Sequence, residues 1–364
     1  MYKKVCISEG DYSTLLGMNG GQPESPDGKL IVYARKKVID DPKKQDTEIW
    51  VCDRDTLDNH RKIFDVKCGN HNGPSATFVD NEHIVFRSGI DGLSVFYIVN
   101  VYTKEVKYGP IFAKESHCGE NGKYPFSISE NFLGKNPDYP VIDSCGIYLL
   151  DIKTGEVTKA VDTQEIIDMV KNAGYTPNQW TTSMSHVQLN PSATSVMMRL
   201  SVEECPVFGA LGAIDLDTHK SHIIPDKPVH QLWFDDNSYM ATHQVHNGEI
   251  IEMESSRIQR FSKDGEVLET LGGNGNHIDG SPDRQWFVGD RAYPGYPLDI
   301  MLYKRGEIEP TAVLDSQNFQ HTVWKLQVHP NPTFSRDGKR VYFNRPIEEG
   351  KTQAVFVDIS DIIK

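Results

Sequence analysis

The stretch Ser25-Pro-Asp-Gly-Lys-Leu-Ile-Val-Tyr33 decides the fold of this chain, because copies of its turn-and-strand pattern recur along the sequence. Close copies are Ser281-Pro-Asp-Arg-Gln-Trp-Phe-Val288 and Ser335-Arg-Asp-Gly-Lys-Arg-Val-Tyr-Phe343. Weaker copies are Phe78-Val-Asp-Asn-Glu-His-Ile-Val-Phe86, Asn190-Pro-Ser-Ala-Thr-Ser-Val-Met-Met198 and Trp233-Phe-Asp-Asp-Asn-Ser-Tyr239. A polar turn followed by an apolar run rich in β-branched and aromatic residues is typical of a β-hairpin. The motif therefore predicts the hairpin between the first and second strands of a repeated unit.

A second motif follows the first in each unit and consists of an apolar strand that ends at a polar turn. Its seven examples are Ile49-Trp-Val-Cys-Asp53, Phe96-Tyr-Ile-Val-Asn100, Ile147-Tyr-Leu-Leu-Asp151, Ala213-Ile-Asp-Leu-Asp217, Ile258-Gln-Arg-Phe261, Ile300-Met-Leu-Tyr303 and Val355-Phe-Val-Asp358. Several continue into Thr-Gly or Asp-Gly turns, which supply the positive φ that a tight hairpin needs. These segments predict the third-to-fourth strand hairpin.

Two hairpins per unit and a period of roughly 50 residues predict an all-β fold, a seven-bladed β-propeller with four-stranded blades. A single propeller domain then accounts for residues 1–364. The N-terminal segment Lys3-Lys-Val-Cys-Ile-Ser8 is expected to complete the last blade and close the ring. Residues 163–174 interrupt the pattern with helical spacing of Ile166, Ile167 and Val170 and end at Gly174, so they predict a short helical insertion before the fourth blade.

Composition limits the partners and the location of the protein. The formal net charge of −13 argues against nucleic acid and acidic membranes as partners, because both require a basic face. No apolar run is long enough to cross a bilayer, and no secretory signal is visible, so a cytoplasmic location is expected. The six cysteines form no C-x-x-C pair and are expected to be reduced thiols.

Histidines recur where the innermost strands of a propeller begin. Counting back six residues from the turn position of each blade reaches Gly21, Tyr124, His186, His230, His277 and Asn331. His71 leads into the second blade, and His329 lies two residues before Asn331. The residue before each innermost strand points towards the central channel, so we expect blades to begin near these positions and a histidine cluster to line the axis. A wet, hydrogen-bonded channel is the alternative interpretation of each single histidine.

The sixth and seventh blades offer a possible metal site. His277 and His329, with Gln327 or Asp290, form a set of imidazole, amide and carboxylate groups that suits a divalent transition metal, Mn or Zn, better than Ca. Asp290 is expected either to bind the metal or to orient His277. A hydrogen-bonded seam between the two blades is the alternative.

Arg199 ends the strand that follows His186, where an apolar blade has no structural need for a guanidinium. Arginine is the side chain best shaped to bind a carboxylate through two hydrogen bonds. We therefore take Arg199 as a candidate ligand for an anionic substrate, with a surface ion pair to Glu203 or Glu204 as the alternative.

A family resemblance joins these residues. The segments His277-Ile-Asp-Gly-Ser-Pro-Asp283, Gly289-Asp-Arg-Ala-Tyr-Pro294 and Gln327-Val-His-Pro-Asn-Pro-Thr-Phe334 resemble those of the propeller-type polysaccharide lyases, above all the oligogalacturonate lyases, with the ulvan and rhamnose-glucuronate lyases on the same scaffold. In that family a histidine, a glutamine and a His-Pro-His pair hold a metal. This chain matches with His277, Gln327 and His329 and has Asn331 in place of the last histidine.

The resemblance implies a lyase that cleaves a uronic-acid-containing oligosaccharide by β-elimination. Arg199 or a metal would neutralise the substrate carboxylate, and a neutral histidine would remove the C5 proton. His186 is the first candidate for the base, with His71 and His243 behind it, and Tyr124 is the candidate acid. The candidates for substrate binding are His230, Arg291 and Tyr293.

Two other functions remain open on the same scaffold. One is a non-catalytic propeller that binds a sugar or a protein through the histidine face. The other is a metal-dependent hydrolase or epimerase. The sequence does not predict an oligomeric state.

Overall fold

The structure is a computed structural model that describes residues 2–37, 46–71, 73–117, 119–224, 228–247, 250–292, 296–318, 325, 327–348 and 350–364. These residues form seven antiparallel sheets of four strands each, which confirms the predicted seven-bladed β-propeller. In blades 1 to 6 the strands are hydrogen-bonded in chain order, and the first strands of blades 3 to 7 contact one another in turn around the axis. The first strand of each blade is therefore its innermost strand.

The strands of the first three blades follow one another along the chain after β1 (Lys4–Cys6). Blade 1 contains β2 (Ser13–Leu15), β3 (Leu30–Lys36), β4 (Asp46–Asp53) and β5 (Arg61–Lys67). Blade 2 contains β6 (Thr77–Phe78), β7 (His83–Ile90), β8 (Leu93–Asn100) and β9 (Val106–Phe112). Blade 3 contains β10 (Glu115–Ser116), β11 (Lys123–Ile128), β12 (Gly146–Asp151) and β13 (Val157–Asp162).

The helix α1 (Thr163–Asn172) separates blade 3 from the remaining blades. Blade 4 contains β14 (Ser185–Leu189), β15 (Ser195–Val202), β16 (Cys205–Asp215) and β17 (Ser221–Ile224). Blade 5 contains β18 (Pro228–Asp235), β19 (Ser238–Asn247), β20 (Ile250–Ser262) and β21 (Val267–Gly272). Blade 6 contains β22 (Ile278–Gly280), β23 (Trp286–Asp290), β24 (Leu298–Lys304) and β25 (Ala312–Gln317).

Blade 7 joins the two ends of the chain. Its strands are β26 (Thr333–Phe334), β27 (Arg340–Glu348), β28 (Lys351–Asp358) and, as the outermost strand, β1. Lys4 pairs with Val357 and Cys6 pairs with Val355 in this ladder. The expected closure of the ring by the N-terminal segment is therefore confirmed, and the closure leaves few strand edges unpaired.

Seven apolar clusters of described residues hold the blades together, one between each pair of neighbouring sheets. Each cluster takes side chains from the facing surfaces of two blades, as Val85 and Phe96 of blade 2 do with Phe126 and Tyr148 of blade 3. Each sheet is thus buried on both faces, which explains why the blade strands read as nearly continuous apolar runs. The core is a ring around the axis rather than a single centre.

The repeated turn motif forms the same hydrogen bonds in three blades. In blade 1 the Ser25 hydroxyl donates to the Asp27 carboxylate at 2.7 Å and accepts the backbone N–H of Leu30 at 3.0 Å. Ser281 with Asp283, and Ser335 with Asp337, repeat this arrangement at 2.6 Å. The residue after each aspartate has a positive φ, which is the reason for glycine at that position in two of the three copies.

The helical insertion begins and ends on recognisable signals. Asp162 caps α1 by accepting the N–H of Gln164, and Glu165 completes a capping box with the Asp162 backbone. Gly174 has a φ of 84° just past the end of the helix, as expected for a C-terminal glycine. The predicted insertion at 163–174 is confirmed, with the helix itself ending at Asn172.

Four of the seven predicted blade starts are confirmed and three need correction. His186 and His230 lie in the innermost strands β14 and β18, His277 immediately precedes β22, and Asn331 lies two residues before β26. In blade 2 the first strand begins six residues after His71.

In blade 1 the strand β2 precedes Gly21, because the segment 16–21 interrupts the inner edge of this blade before Glu24 bridges to Ile31. In blade 3 the prediction was wrong: Tyr124 lies on the second strand β11. The hairpin turn is Asn121-Gly122, whereas Glu130, from which the register was counted, begins a 3-10 turn after that strand. Within the described part of the chain, no helix is long and apolar enough to span a membrane.

Candidate functional site

Six histidines surround the propeller axis on one face. We call this face the upper face; it carries the connections between blades and the hairpins between second and third strands, whereas the other two hairpin types form the lower face. The axial histidines come one from each of blades 2 to 7: His71, His117, His186, His230, His277 and His329. Five of them were predicted to lie near the axis, and the structure brings these five together with His117.

The imidazole rings pack against one another in two groups. The ring centroid of His277 lies 4.3 Å from that of His230 and 4.9 Å from that of His329. The His329 ring in turn lies 5.1 Å from the His71 ring. His117 and His186 stack at 6.2 Å. Four of the six imidazoles therefore form one packed group, His230, His277, His329 and His71, and His117 and His186 form a stacked pair on the other side of the axis.

Two of the axial histidines have an unusual backbone conformation. His186 and His230 have φ values of 51° and 52°, and Ser75 and Asn331 take the same conformation in blades 2 and 7. The strand ladders shift register around both histidines, as at a β-bulge. A non-glycine residue with positive φ is unusual, and bulges commonly redirect a side chain next to a functional site.

Blade 1 contributes Asn19, whose hydrogen bonds connect it to three other blades at the axis. The Asn19 amide donates to the backbone oxygen of His230 at 3.2 Å, and its side-chain oxygen accepts the N–H of Ile278 at 2.8 Å. The Asn19 backbone also hydrogen-bonds His117. The segment 16–21 thus joins blades 1, 3, 5 and 6 at the axis.

Burial keeps most of the axial imidazoles neutral. It lowers the pKa of His117 to about 3, that of His186 to about 4 and that of His329 to about 2. Burial, followed by the charge of His277, also lowers the pKa of His71 and brings the pKa of His230 well below its ordinary value. Neutral imidazoles can accept a proton, which is what a general base requires.

A cleft opens from this cluster to the upper face between blades 2 and 4. It has a volume of about 460 Å³, and His71, His117 and His186 form its inner wall. Arg87 and Glu115 line the side of the cleft, where the Arg87 Nη1 donates to the Glu115 carboxylate at 2.5 Å. A guanidinium therefore lies at the wall of the cleft, next to three neutral imidazoles.

Arg87 was not a candidate in the sequence analysis, although its position could have been found by register. It lies on the second strand of blade 2 opposite the bulge, since its N–H donates to the oxygen of Pro74, next to Ser75. Arg199 takes the equivalent place in blade 4, paired with Ser185 next to His186. His117 was missed because the count of six residues does not reach it: from the turn at Asn121 the count ends at Glu115, two residues before His117.

Arg199 lies deeper than Arg87 and is 9% exposed. Its Nε donates to the Gln231 side-chain oxygen at 2.8 Å, and its Nη2 donates to the backbone oxygen of Pro228. Burial lowers the pKa of its guanidinium to about 10. Its positive charge contributes to the lowered pKa of both His186 and His230, so Arg199 lies behind the ring instead of in a surface ion pair.

The predicted metal ligands are brought together only in part. His277 Nδ1 lies 2.8 Å from the Asp290 carboxylate, which is fully buried and also accepts the His277 backbone N–H at 3.2 Å. Asp290 therefore orients His277, while Gln327 is exposed. Among the described residues, no group of three or more His, Cys, Asp or Glu side chains is arranged to hold one metal ion. The side chains as placed do not form a complete metal site.

The remaining predicted residues lie outside the ring. Tyr124 is buried in the apolar cluster between blades 2 and 3, and its hydroxyl donates to Ser116 at 3.1 Å, so the candidate acid is a core residue. His243 lies half-buried on the second strand of blade 5, opposite Pro228. Arg291 pairs with Asp299 at 3.2 Å. Tyr293 lies outside the described residues.

Comparison with known proteins agrees with this geometry at the level of the fold. No family model and no curated protein matches the sequence. Among solved structures, the chain is similar to an oligogalacturonate lyase in complex with manganese, with a TM-score of 0.68, 14% identity, and coverage of 100% of this chain and 98% of that one. It is similar to the Vibrio parahaemolyticus oligogalacturonate lyase with a TM-score of 0.64, 13% identity and coverage of 100% and 95%.

A third solved structure shows how widely the scaffold is shared. The β-propeller domain of Myceliophteria thermophila Cps50 (Swd1) has a TM-score of 0.56 and 10% identity, with coverage of 98% of this chain and 99% of that one. At these identities the likeness shows the fold alone, so the predicted resemblance to an oligogalacturonate-lyase-type propeller is confirmed for the fold. The chemistry must be argued from the site.

Proposed function

We propose that this protein is a carbohydrate-active lyase that cleaves a uronic-acid-containing oligosaccharide by β-elimination in the cleft beside the axial histidines. The observation that carries the proposal is the combination of neutral imidazoles and a guanidinium on one cleft wall. Elimination next to a carboxylate needs a neutral base and a cation, and His186 and Arg87 supply both. The likeness to two lyase structures supports the same reaction.

In this mechanism the arginines act on the carboxylate at C5 of the sugar. Negative charge moves onto that carboxylate as the C5 proton leaves, so a fixed positive charge stabilises the transition state more than the ground state. Arg87 lines the cleft in its ion pair with Glu115 and is the residue that binds the carboxylate, which has to share or displace Glu115 on the guanidinium, while Arg199 provides a second positive charge behind His186 and His230.

His186 is the proposed base. Its ring lines the cleft, and its Nδ1 lies 3.0 Å from the Ser185 hydroxyl, which leaves Nε2 for the substrate. The C5–H bond breaks towards His186, its electron pair forms the double bond between C4 and C5, and the C4–O4 bond breaks. The imidazolium then gives its proton to O4, so one residue balances both proton transfers. A bound carboxylate raises the low pKa of His186 towards the working pH.

A divalent metal, Mn or Zn, stays a proposal at His277 and His329. Imidazole nitrogens suit both ions, and the solved lyase in complex with manganese is a reason to test this protein for bound metal. No step above depends on it. Elemental analysis of protein purified without chelator, compared with His277→Ala, decides whether the ring holds metal.

The test is to incubate the protein with a panel of uronate oligosaccharides and to follow the ultraviolet absorbance of an unsaturated uronate. We expect absorbance to grow with the wild type and to fall by about 10²–10⁴-fold in His186→Ala, the usual contribution of a general base. Saccharide binding with no unsaturated product from any substrate would favour the non-catalytic propeller. A saturated product would favour the hydrolase or epimerase.

A further inference from the structure

A second cavity continues the axial cleft outwards across the upper face. It has a volume of about 730 Å³ and shares the wall formed by Gly92, Leu93 and Ser94 with the axial cleft. We call it the Trp180 groove, after the aromatic side chain on its far wall. Cavities of roughly 300–1,000 Å³ hold ligands the size of a small oligosaccharide. The two cavities together are larger than one sugar acid needs.

Trp180 is 56% exposed, which is unusual for the largest apolar side chain. The turn that carries it is held firmly. The Asn178 side-chain oxygen accepts the backbone N–H of Trp180 at 2.8 Å, and the Asn178 side-chain nitrogen donates to the Ser201 hydroxyl at 3.1 Å. The Thr181 hydroxyl donates to the Ser201 backbone oxygen at 2.6 Å. The indole is therefore presented to solvent on a rigid turn tied to strand β15, not on a loose loop.

The helical insertion explains how the chain reaches this position. The helix α1 packs between blades 3 and 4, and the connection after it runs over the upper face before β14 begins. Residues 179–183 of this connection form one wall of the groove, opposite residues of blades 2 and 3. The insertion that interrupts the blade repeat therefore carries Trp180.

The rest of the groove wall is polar. Lys114, Glu130, Asn131 and Gln179 provide an ammonium, a carboxylate and two amides, and four hydroxyl side chains also line the groove: Ser94, Ser129, Thr182 and Ser183. A flat exposed aromatic ring beside hydrogen-bonding groups matches the surface of a sugar, which has apolar C–H faces and a rim of hydroxyls. The charges of Lys114 and Glu130 offset each other, so the groove fits the hydroxyls of a sugar unit without requiring a charged group on it.

We propose that the Trp180 groove is a second sugar subsite, which binds a further unit of the same oligosaccharide away from the bond that is cleaved. This inference rests on the proposed function for its substrate class. It predicts a preference for oligosaccharides longer than a disaccharide, because only longer chains reach from the axial histidines across Gly92–Ser94 to Trp180.

The experiment compares kcat/KM for a disaccharide and a tetrasaccharide of the same uronate in wild type, Trp180→Ala and Trp180→Phe. We expect Trp180→Ala to lower the tetrasaccharide value by roughly 10-fold, through KM, and to change the disaccharide value by less than about 2-fold. Trp180→Phe keeps an aromatic face and should recover most of the loss. Tyr102→Ala is the matched control, because Tyr102 is equally exposed at 58% but lies in a lower-face hairpin of blade 2.

Equal values for Trp180→Ala and wild type on the tetrasaccharide would overturn the proposal, and so would an equal loss on both substrates. If the wild type forms no unsaturated product from either substrate, the proposed function fails. Calorimetric titration with the two oligosaccharides then tests separately whether the groove binds sugar. Tighter binding of the tetrasaccharide than of the disaccharide, lost in Trp180→Ala, would support the subsite. Binding that does not depend on length would overturn it.

Discussion

At the scale of single residues, burial changes the protonation state of the groups that form the site. Imidazoles that would be half-protonated near pH 6.5 in water are neutral here, because the ring of blades excludes the water that would stabilise their charge. The buried guanidinium of Arg199 lies next to them and makes protonation of His186 less favourable still. The same arrangement favours a bound carboxylate, which would offset the guanidinium.

The contribution of the Arg199 charge can be measured with Arg199→Met, which removes the positive charge behind His186 and His230 and keeps most of the length of the side chain. We expect a loss of roughly 2–4 kcal/mol of transition-state stabilisation in kcat/KM, with the fold retained. The loss should be less than additive with that of His186→Ala, since both act on one step. Arg260→Met, in the ion pair with Asp235, is the control and should keep its activity. Wild-type turnover in Arg199→Met would remove this residue from the mechanism.

At the scale of elements, every blade consists of the same pair of hairpins, and the blades differ in the residue at the inner end of the first strand. The innermost strands β14 and β18 place a positive-φ histidine at the bulge, whereas β26 follows an asparagine in that conformation. The insertion between blades 3 and 4 forms a helix instead of strands. This helix needs stabilising contacts of its own, because it cannot pair with the sheets. Its capping box and the buried side chains Ile166, Met169 and Val170 provide that stability.

The cap of α1 gives a direct stability test. Asp162→Ala removes the side chain that accepts the Gln164 N–H, so we expect the free energy of unfolding to fall by about 1 kcal/mol. Urea titration measures the difference. Asp168→Ala, on the exposed side of the same helix, lacks a cap to lose and should change stability by less than about 0.5 kcal/mol. Equal losses in the two variants would mean that the cap adds nothing.

At the scale of the whole molecule, the axial ring makes stability depend on pH. Five of the ring histidines have a lowered pKa: His71, His117, His186, His230 and His329. In the unfolded chain each takes up a proton near the ordinary histidine pKa of 6.5, and in the folded protein it stays neutral to lower pH. The unfolded state therefore binds more protons below pH 6.5, and stability falls as the pH falls.

We expect the free energy of unfolding to decrease by about 1 kcal/mol for each of His117, His186 and His329 between about pH 7 and pH 5.5, with contributions of the same sign from His71 and His230. The raised pKa values of Glu120 and Asp279 act in the opposite direction, but these are two groups against five. Urea midpoints over this pH range measure the slope. His117→Gln should make it shallower, while His83→Gln, on β7 away from the ring, should not. A flat profile would show that the ring takes up protons without unfolding.

The sequence by itself determined the propeller, its seven blades, the closing strand and the helical insertion. Each depends on local chemistry repeated along the chain: the Ser25 and Asp27 type of turn, alternating apolar runs, and the Asp162 cap. Register counted from those turns predicted His186, His230 and His277, and proximity to the same positions added His71 and His329. Where the local signal was ambiguous, as at Glu130, the register failed and gave Tyr124, although the turn at Asn121 would have led to Glu115 beside the cleft.

Only the tertiary structure decided which side chains share a cleft. Arg87 and His186 come from blades 2 and 4, and no spacing along the chain relates them. The packing of blade 4 against blade 5 also made Arg199 a buried neighbour of His230. Distances between blades depend on how the apolar clusters pack between the sheets, and that packing involves residues hundreds of positions apart. The sequence therefore predicts the positions around the axis, and packing determines the contacts.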